Sequence, residues 1–158
     1  MKQVGTIRRI SGIVSTDDII PARYKHMYTA PEDLAPHMFE AYAPELVRRL
    51  QAGDVLVSDS LFGIGSSREQ AVTTMLASGI AAVLAPSFGR ILFRNSWNLA
   101  LPAIDIDTRD LADGMPIEID LESGEVLRYF PAPSAFLLEM VAAGGLLQKV
   151  RASLGAAA

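Results

Sequence analysis

The sequence predicts an α/β fold with an antiparallel hairpin appended. Three observations carry that expectation. First, the β-branched run Val55–Ser58, the helix-like run Ala71–Ala77 and the apolar run Ile80–Ala85 follow one another. Strand, helix and continuously apolar strand in that order form a βαβ unit with a buried parallel strand. Second, the pattern continues with a helix opened by Pro86-Ser87-Phe88-Gly89-Arg90 and a short strand at Ala103–Asp107. Third, Ile117–Leu121 and Val126–Phe130 flank the turn Glu122-Ser123-Gly124-Glu125, a hairpin signature.

The remaining elements are read in chain order. Val4–Ile10 is rich in β-branched residues and predicts a strand, closed by a turn at Ser11-Gly12. Ile13 and Val14 begin a second extended piece. Ser15–Tyr24 places acids before Ile19-Ile20-Pro21 and predicts an ordered loop that presents Arg23, because Pro21 holds Ile20 extended. Lys25–Thr29 continues as loop. Pro31-Glu32-Asp33 opens a helix, with proline and acids in its first turn. His37, near that helix's end, is expected to pack or face solvent, since no second ligand-type side chain lies beside it. A further helix spans Pro44–Leu50, with Leu46, Val47 and Leu50 at helical spacing. Gly53-Asp54 turns into the strand at Val55. Gly79 is placed to close the helix after Ala77. In the helix after Gly89, Phe93 and Trp97 are expected in the core. Arg90 and Arg94 are either surface charges or support for an anion site. Asp113-Gly114 is a turn. Ser134 caps a helix carrying Phe136, Leu137, Met140 and Val141, which Gly144-Gly145 breaks before a terminal helix over Leu146–Leu154. No repeat, linker or boundary interrupts the chain, so residues 1–158 are expected to form a single domain.

Composition narrows the chemistry. Half of the 158 residues are hydrophobic, enough for a core, and the formal net charge is −4. That balance argues against nucleic acid as the main partner, because binding it needs clustered Lys and Arg. No apolar run is long enough to cross a bilayer, and no signal-peptide region follows Met1-Lys2-Gln3, so a cytoplasmic protein is expected. Cysteine is absent and only His26 and His37 supply imidazole. The chain therefore has no disulfide, no thiol nucleophile and no thiolate for zinc or iron–sulfur ligation. Redox or metal chemistry would need a second chain.

The chemically dense stretch is Phe62-Gly63-Ile64-Gly65-Ser66-Ser67-Arg68-Glu69-Gln70. Its glycines allow a sharp turn and close approach of a ligand. Ser66 and Glu69 have capping-box spacing, which predicts a helix starting here with Ser66 as its cap. Such a start attracts anions, and Arg68 suits a carboxylate or phosphate held bidentately. The plainer reading is a well-capped turn. Gly-x-Gly, paired serines and an adjacent arginine together favour a site. The βαβ order puts the turn at the carboxyl end of the Val55–Ser58 strand, where α/β sheets place ligands. A nucleotide fingerprint is not complete, since the third Rossmann glycine and the P-loop Gly-Lys-Ser/Thr are both missing.

Three stretches in register, Ser15–Tyr24, Phe62–Ala71 and Ala85–Asn95, resemble the small subunits of 3-isopropylmalate dehydratase, which correspond to the swivelling domain of aconitase. Phe136-Leu137-Leu138-Glu139 and Ala143-Gly144-Gly145-Leu146 are similar to that family's closing segment. The resemblance implies a swivelling β/β/α domain of the aconitase type with the appended hairpin. It implies half of a heteromeric hydro-lyase that dehydrates and rehydrates a hydroxy diacid, with a 4Fe-4S iron–sulfur cluster held by a separate large subunit. By the same resemblance Ser66 is the general base. Ser67 and Arg68 bind a substrate carboxylate, Arg23 is a second carboxylate anchor, and Lys25, His26 and Met27 form the specificity loop.

Two positions depart from the family pattern. Ile64 stands where cysteine is usual and Gln70 where histidine is usual. The first changes packing, and the second removes an ionisable ring beside the site. Lys25-His26-Met27 also differs from a plain isopropyl pocket, so Lys25 and His26 either meet a polar substituent or face solvent. Within the same class, the alternative is the small subunit of a homoaconitase or of a citraconate or dimethylmalate hydratase. A carboxylate- or phosphate-binding module without catalysis is the alternative from another class.

Overall fold

The computed structural model describes residues 2–66, 68–123 and 133–155. The first half contains β1 (Lys2–Ile10), β2 (Val14–Ser15), α1 (Thr16–Ile19), α2 (Pro31–Leu34) and α3 (Pro44–Arg49), with 3-10 turns at Ala22–His26 and Ala35–His37. Then come β3 (Val55–Ser58), β4 (Leu61–Ile64), α4 (Glu69–Ala77), β5 (Ala82–Ala85), β6 (Ser87–Phe88) and α5 (Arg90–Asn98). β7 (Ala103–Asp105), β8 (Pro116–Asp120), α6 (Ala135–Ala143) and α7 (Leu146–Gly155) complete the order.

The strands form two sheets. The larger has the order β7-β5-β3-β1-β8, with β8 antiparallel to β1 and the other pairings parallel. Residues on β3 and β5 alternate between two buried faces. Leu56, Val83 and Ala85 join Ala71, Val72 and Met75 of α4 on one side. Val55, Val57, Ala82 and Leu84 join Ile7, Ile104, Ile117 and Ile119 on the other, against Leu138 and Val141 of α6. Burial on both faces explains why these strands read as continuous apolar runs. Each buried Val, Leu or Ile contributes roughly 1.5–3 kcal/mol relative to exposure. The first strand of the expected hairpin, Ile117–Leu121, is present as β8, which pairs antiparallel with β1 at the sheet edge, and the second, Val126–Phe130, lies outside the described residues.

The smaller sheet, β2-β4-β6, is parallel and short. It changes one sequence expectation. The serine turn does not follow β3 directly. The chain bends out of the large sheet at Asp59-Ser60, adds β4 to the small sheet, and only then turns. The segment expected as loop, Ser15–Tyr24, instead folds into α1 and the first 3-10 turn. The Ser15 hydroxyl accepts the Asp18 N–H at 3.1 Å, and the Asp18 carboxylate accepts the Ser15 N–H at 2.8 Å. That reciprocal pair is a capping box and gives the short helix its start.

Other expected ends hold. Gly79 has φ +81 after α4, Ser134 accepts the Leu137 N–H at the head of α6, and Gly144 has φ +81 at its end. Trp97 is buried and Phe93 packs against it. No helix among the described residues is long and apolar enough to cross a membrane.

Candidate active site

The serine turn is held by backbone proximity. Gly63 has φ +80 and Gly65 φ +111, conformations that side-chain-bearing residues rarely adopt. A Cβ on Gly63 would lie 2.3 Å from Leu92 of α5, and one on Gly89 would lie 2.2 Å from the Gly63 carbonyl oxygen. The Gly89 N–H donates to the Phe62 carbonyl at 2.8 Å. These glycines let β4 lie directly against the head of α5. On the other side, a Cβ on Gly65 would lie 3.0 Å from Thr16 Oγ1, so the turn also abuts α1.

Ser66 does not cap the helix as its spacing predicts. The helix begins at Glu69, with Arg68 in the extended N-cap position at φ −109, ψ 102, and no side chain caps it. The reason lies in the turn. Gly65 carries the chain through positive φ, and the Ser66 carbonyl accepts the Arg68 N–H at 2.9 Å. This tight turn places Ser66 outside the helix. Its side chain is exposed, and no bond among the described residues occupies its hydroxyl. Ser67 lies outside the described residues.

Arg68 lies across the gap to α1. Its side chain is only 13% exposed, and Nη1 donates to the Ile20 carbonyl at 3.0 Å and pairs with Asp17 Oδ1 at 2.5 Å. A guanidinium has five N–H donors in a planar fork. With these contacts on Nη1, the Nε and Nη2 edge remains suited to a carboxylate. The contact joins two of the sequence motifs, Ser15–Tyr24 and Phe62–Gln70, in one site.

Arg23 stands three residues beyond Ile20, in the first 3-10 turn, with its side chain 59% exposed. It pairs with Glu40, and its guanidinium lies 4.7 Å from the centre of the Tyr24 ring. Glu40 is a hub, since the Tyr24 hydroxyl donates to it at 2.9 Å and His37 Nδ1 lies 2.9 Å from it. His37 stacks on Tyr24 with ring centres 3.9 Å apart, so it packs, as expected. His26 is exposed and Met27 is 63% exposed. The Lys25 side chain lies outside the described residues.

Ile64 is half-buried and pairs with Ser15 in the small sheet. Gln70 is half-buried in the first turn of α4. Sequence reading missed Asp17 and Glu40, the two carboxylates that hold Arg68 and Arg23. Their sequence signal is weak, because each partner is distant along the chain. The Ser15-x-x-Asp18 spacing was a legible sign of α1. Arg90 and Arg94 are exposed on α5, next to a cavity of about 530 Å³ lined by Gly63, Ile64 and Gly65 as well.

Known proteins resemble this chain in sequence and fold. Residues 15–109 match the aconitase C-terminal domain model. A 3-isopropylmalate dehydratase small subunit from Sulfurimonas denitrificans is 38% identical over 152 residues, covering 90% of each chain. The crystal structure of a 3-isopropylmalate dehydratase from Methanocaldococcus jannaschii superposes with TM-score 0.88 at 36% identity, covering 97% of this chain and 95% of the other. Aconitase X from Thermococcus kodakaraensis, at 20% identity and TM-score 0.57 over 80% of this chain and 88% of its own, shares the fold. The chain therefore belongs to the aconitase C-terminal domain family, among the small subunits of 3-isopropylmalate dehydratase.

Proposed function

We propose that this chain is the small half of a heteromeric hydro-lyase that converts 2-isopropylmalate to 3-isopropylmalate, a step of leucine biosynthesis, in the cytoplasm. Family membership supports the activity. The observation that carries the site assignment is the exposed Ser66 on a glycine-built turn, two residues before the half-buried, Asp17-paired Arg68. The reading takes residues 1–158 as one swivelling domain that closes over a large subunit.

The family's iron–sulfur cluster, when bound by the large subunit, supplies a Lewis acid for the substrate hydroxyl. This chain has no cysteine, and no group of three or more His, Cys, Asp or Glu among the described residues could hold a metal. Its residues therefore do not fit as cluster ligands, and its contribution is binding and proton transfer. Ser66 Oγ takes the proton from the carbon next to a carboxylate. The C–O bond on the neighbouring carbon breaks, the hydroxyl leaves as water after gaining a proton, and a C=C bond forms. Water then adds with the opposite regiochemistry, the oxygen going to the first carbon and a proton from Ser66 to the second. A serine alkoxide needs stabilisation, and the N–H groups at the start of α4 and the Arg68 cation supply it.

Arg68 grips one carboxylate through its Nε and Nη2 edge, with Ser67 as a second donor. Arg23 anchors the other carboxylate. The loop of Lys25, His26 and Met27 reads the remaining substituent, and the exposed Met27 gives it an apolar surface for a branched alkyl group. The test is anaerobic reconstitution with a 3-isopropylmalate dehydratase large subunit, following the absorbance of the unsaturated diacid. Turnover that needs both chains is expected. Absence of turnover from 2-isopropylmalate, with turnover of another hydroxy diacid, would reassign the substrate. Diacid binding by the isolated chain with no turnover in any pairing would instead favour a non-catalytic carboxylate-binding module.

A further inference from the structure

The arginines near the serine turn fall into two groups. Arg23 and Arg68 are matched by carboxylates of the chain itself, Glu40 and Asp17. Arg90 and Arg94, one helical turn apart on α5, are exposed and meet no oxygen partner among the described residues. Between them Ile91 is 38% exposed, an apolar side chain at the surface between two cations. These residues line two adjoining cavities. One, of about 530 Å³, runs between the serine turn and α5 and is bordered by Ile64, Arg90, Ile91 and Arg94. The other, of about 330 Å³, lies beyond Arg90 against Phe88, Phe93 and the carboxylate-bearing Asp105, so the cationic end of the groove is the one between Arg90 and Arg94.

We infer that this groove is the docking surface for the large subunit, and that it receives an acidic segment of that subunit with an apolar side chain between its carboxylates. The inference rests on the proposed function and extends it to the partner. Two observations select this occupant. The first is charge: two unpaired guanidiniums flank an exposed isoleucine on a chain of net charge −4, and arginine with apolar side chains is the composition of interface hot spots. The second is continuity. Gly63 and Gly89 lock β4 to α5, so the groove shares a backbone with the turn bearing Ser66. A subunit that delivers its reactants to Ser66 covers this surface as it does so.

The test is a titration of the labelled chain with the cluster-loaded large subunit, under anaerobic conditions, at several salt concentrations. The double variant Arg90→Gln, Arg94→Gln is expected to bind roughly tenfold or more weakly, with a shallower salt dependence. Ile91→Ser, which leaves both charges in place, is expected to weaken binding severalfold without changing the salt slope. Arg48→Gln, outside the groove and paired with Glu45, is the control and should bind as the parent does. Thermal melting of each isolated variant separates lost docking from lost folding. Parent-like association of both groove variants overturns the inference. So does parent-like association with a raised KM for the diacid, which would make the groove a substrate site. If the unaltered chain itself fails to associate, the proposed function falls and the docking inference falls with it; failure of the variants' prediction alone leaves the proposed function standing.

Discussion

The two sheets of this molecule are stabilised in different ways. The large sheet is defined by apolar area: Val55, Leu56, Val57, Val83 and Leu84 are fully buried, with side chains packed on both faces. The small sheet has strands of two, four and two residues, and its position depends on glycines at close backbone contacts and on the capping box of α1. The large sheet carries stability, and the small sheet carries Ser66, Arg68 and their neighbours. The separation lets one surface hold an exposed, glycine-built turn apart from the core that supports it.

Substitutions can break or sharpen that contrast. The largest loss of stability is expected in the large sheet. Leu84→Ala should cost about 2–5 kcal/mol in urea unfolding, while turnover per folded complex stays at the parent value. Gly89→Ala comes next. Its new Cβ would meet the Gly63 carbonyl at 2.2 Å, so the backbone must shift. About 1–3 kcal/mol of stability should be lost, and here turnover should fall as well, because the serine turn moves. A stability loss with unchanged turnover would show that the small sheet is only scaffold.

Ser15→Ala removes the cap of α1 and should cost about 1 kcal/mol. Asp17 on that helix holds Arg68, so the KM for the diacid should rise while the large sheet's hydrogen-exchange protection is unchanged. The smallest effect is expected at Asp113, in the turn beside β1. Its carboxyl is held below the usual range first by the Arg9 backbone N–H and then by Arg49, with burial opposing. A lowered folded pKa stabilises the protein above the unfolded pKa, and the contribution is lost as pH falls through the folded pKa. Asp113→Asn should therefore cost a few tenths to about 1 kcal/mol at neutral pH. The gap to the parent should close in acid, and turnover should not change.

The same contrast sets what could be read in advance. Val55–Ser58 and Ile80–Ala85 were legible because burial on both faces leaves a continuous apolar run, and Gly79, Ser134 and Gly144 mark helix ends by local chemistry alone. β4 and β6 were not legible. Leu61–Ile64 and Ser87–Phe88 are too short to show a period, and the pairings that define them, β4 with Val14-Ser15 and β6 with β4, are long-range facts. Ser66 and Glu69 carried a capping signal that the positive φ of Gly65 overrode. The motif residues of the site were visible as a family pattern, yet Asp17 and Glu40 were not, since an ion pair across two elements leaves no local mark. Arg90 and Arg94 lie exposed on α5, a position that suits a surface charge and an anion site alike.

The central claim is that the serine turn is the proton-transferring half of a shared active site. The direct measurement is the turnover of Ser66→Ala in complex with the large subunit, alongside its assembly. Ser66 is exposed, so the variant should fold and assemble as the parent does. A fall in kcat of about 10²- to 10⁴-fold, the contribution typical of a general base, is the predicted result. Turnover equal to that of the unaltered complex would contradict it.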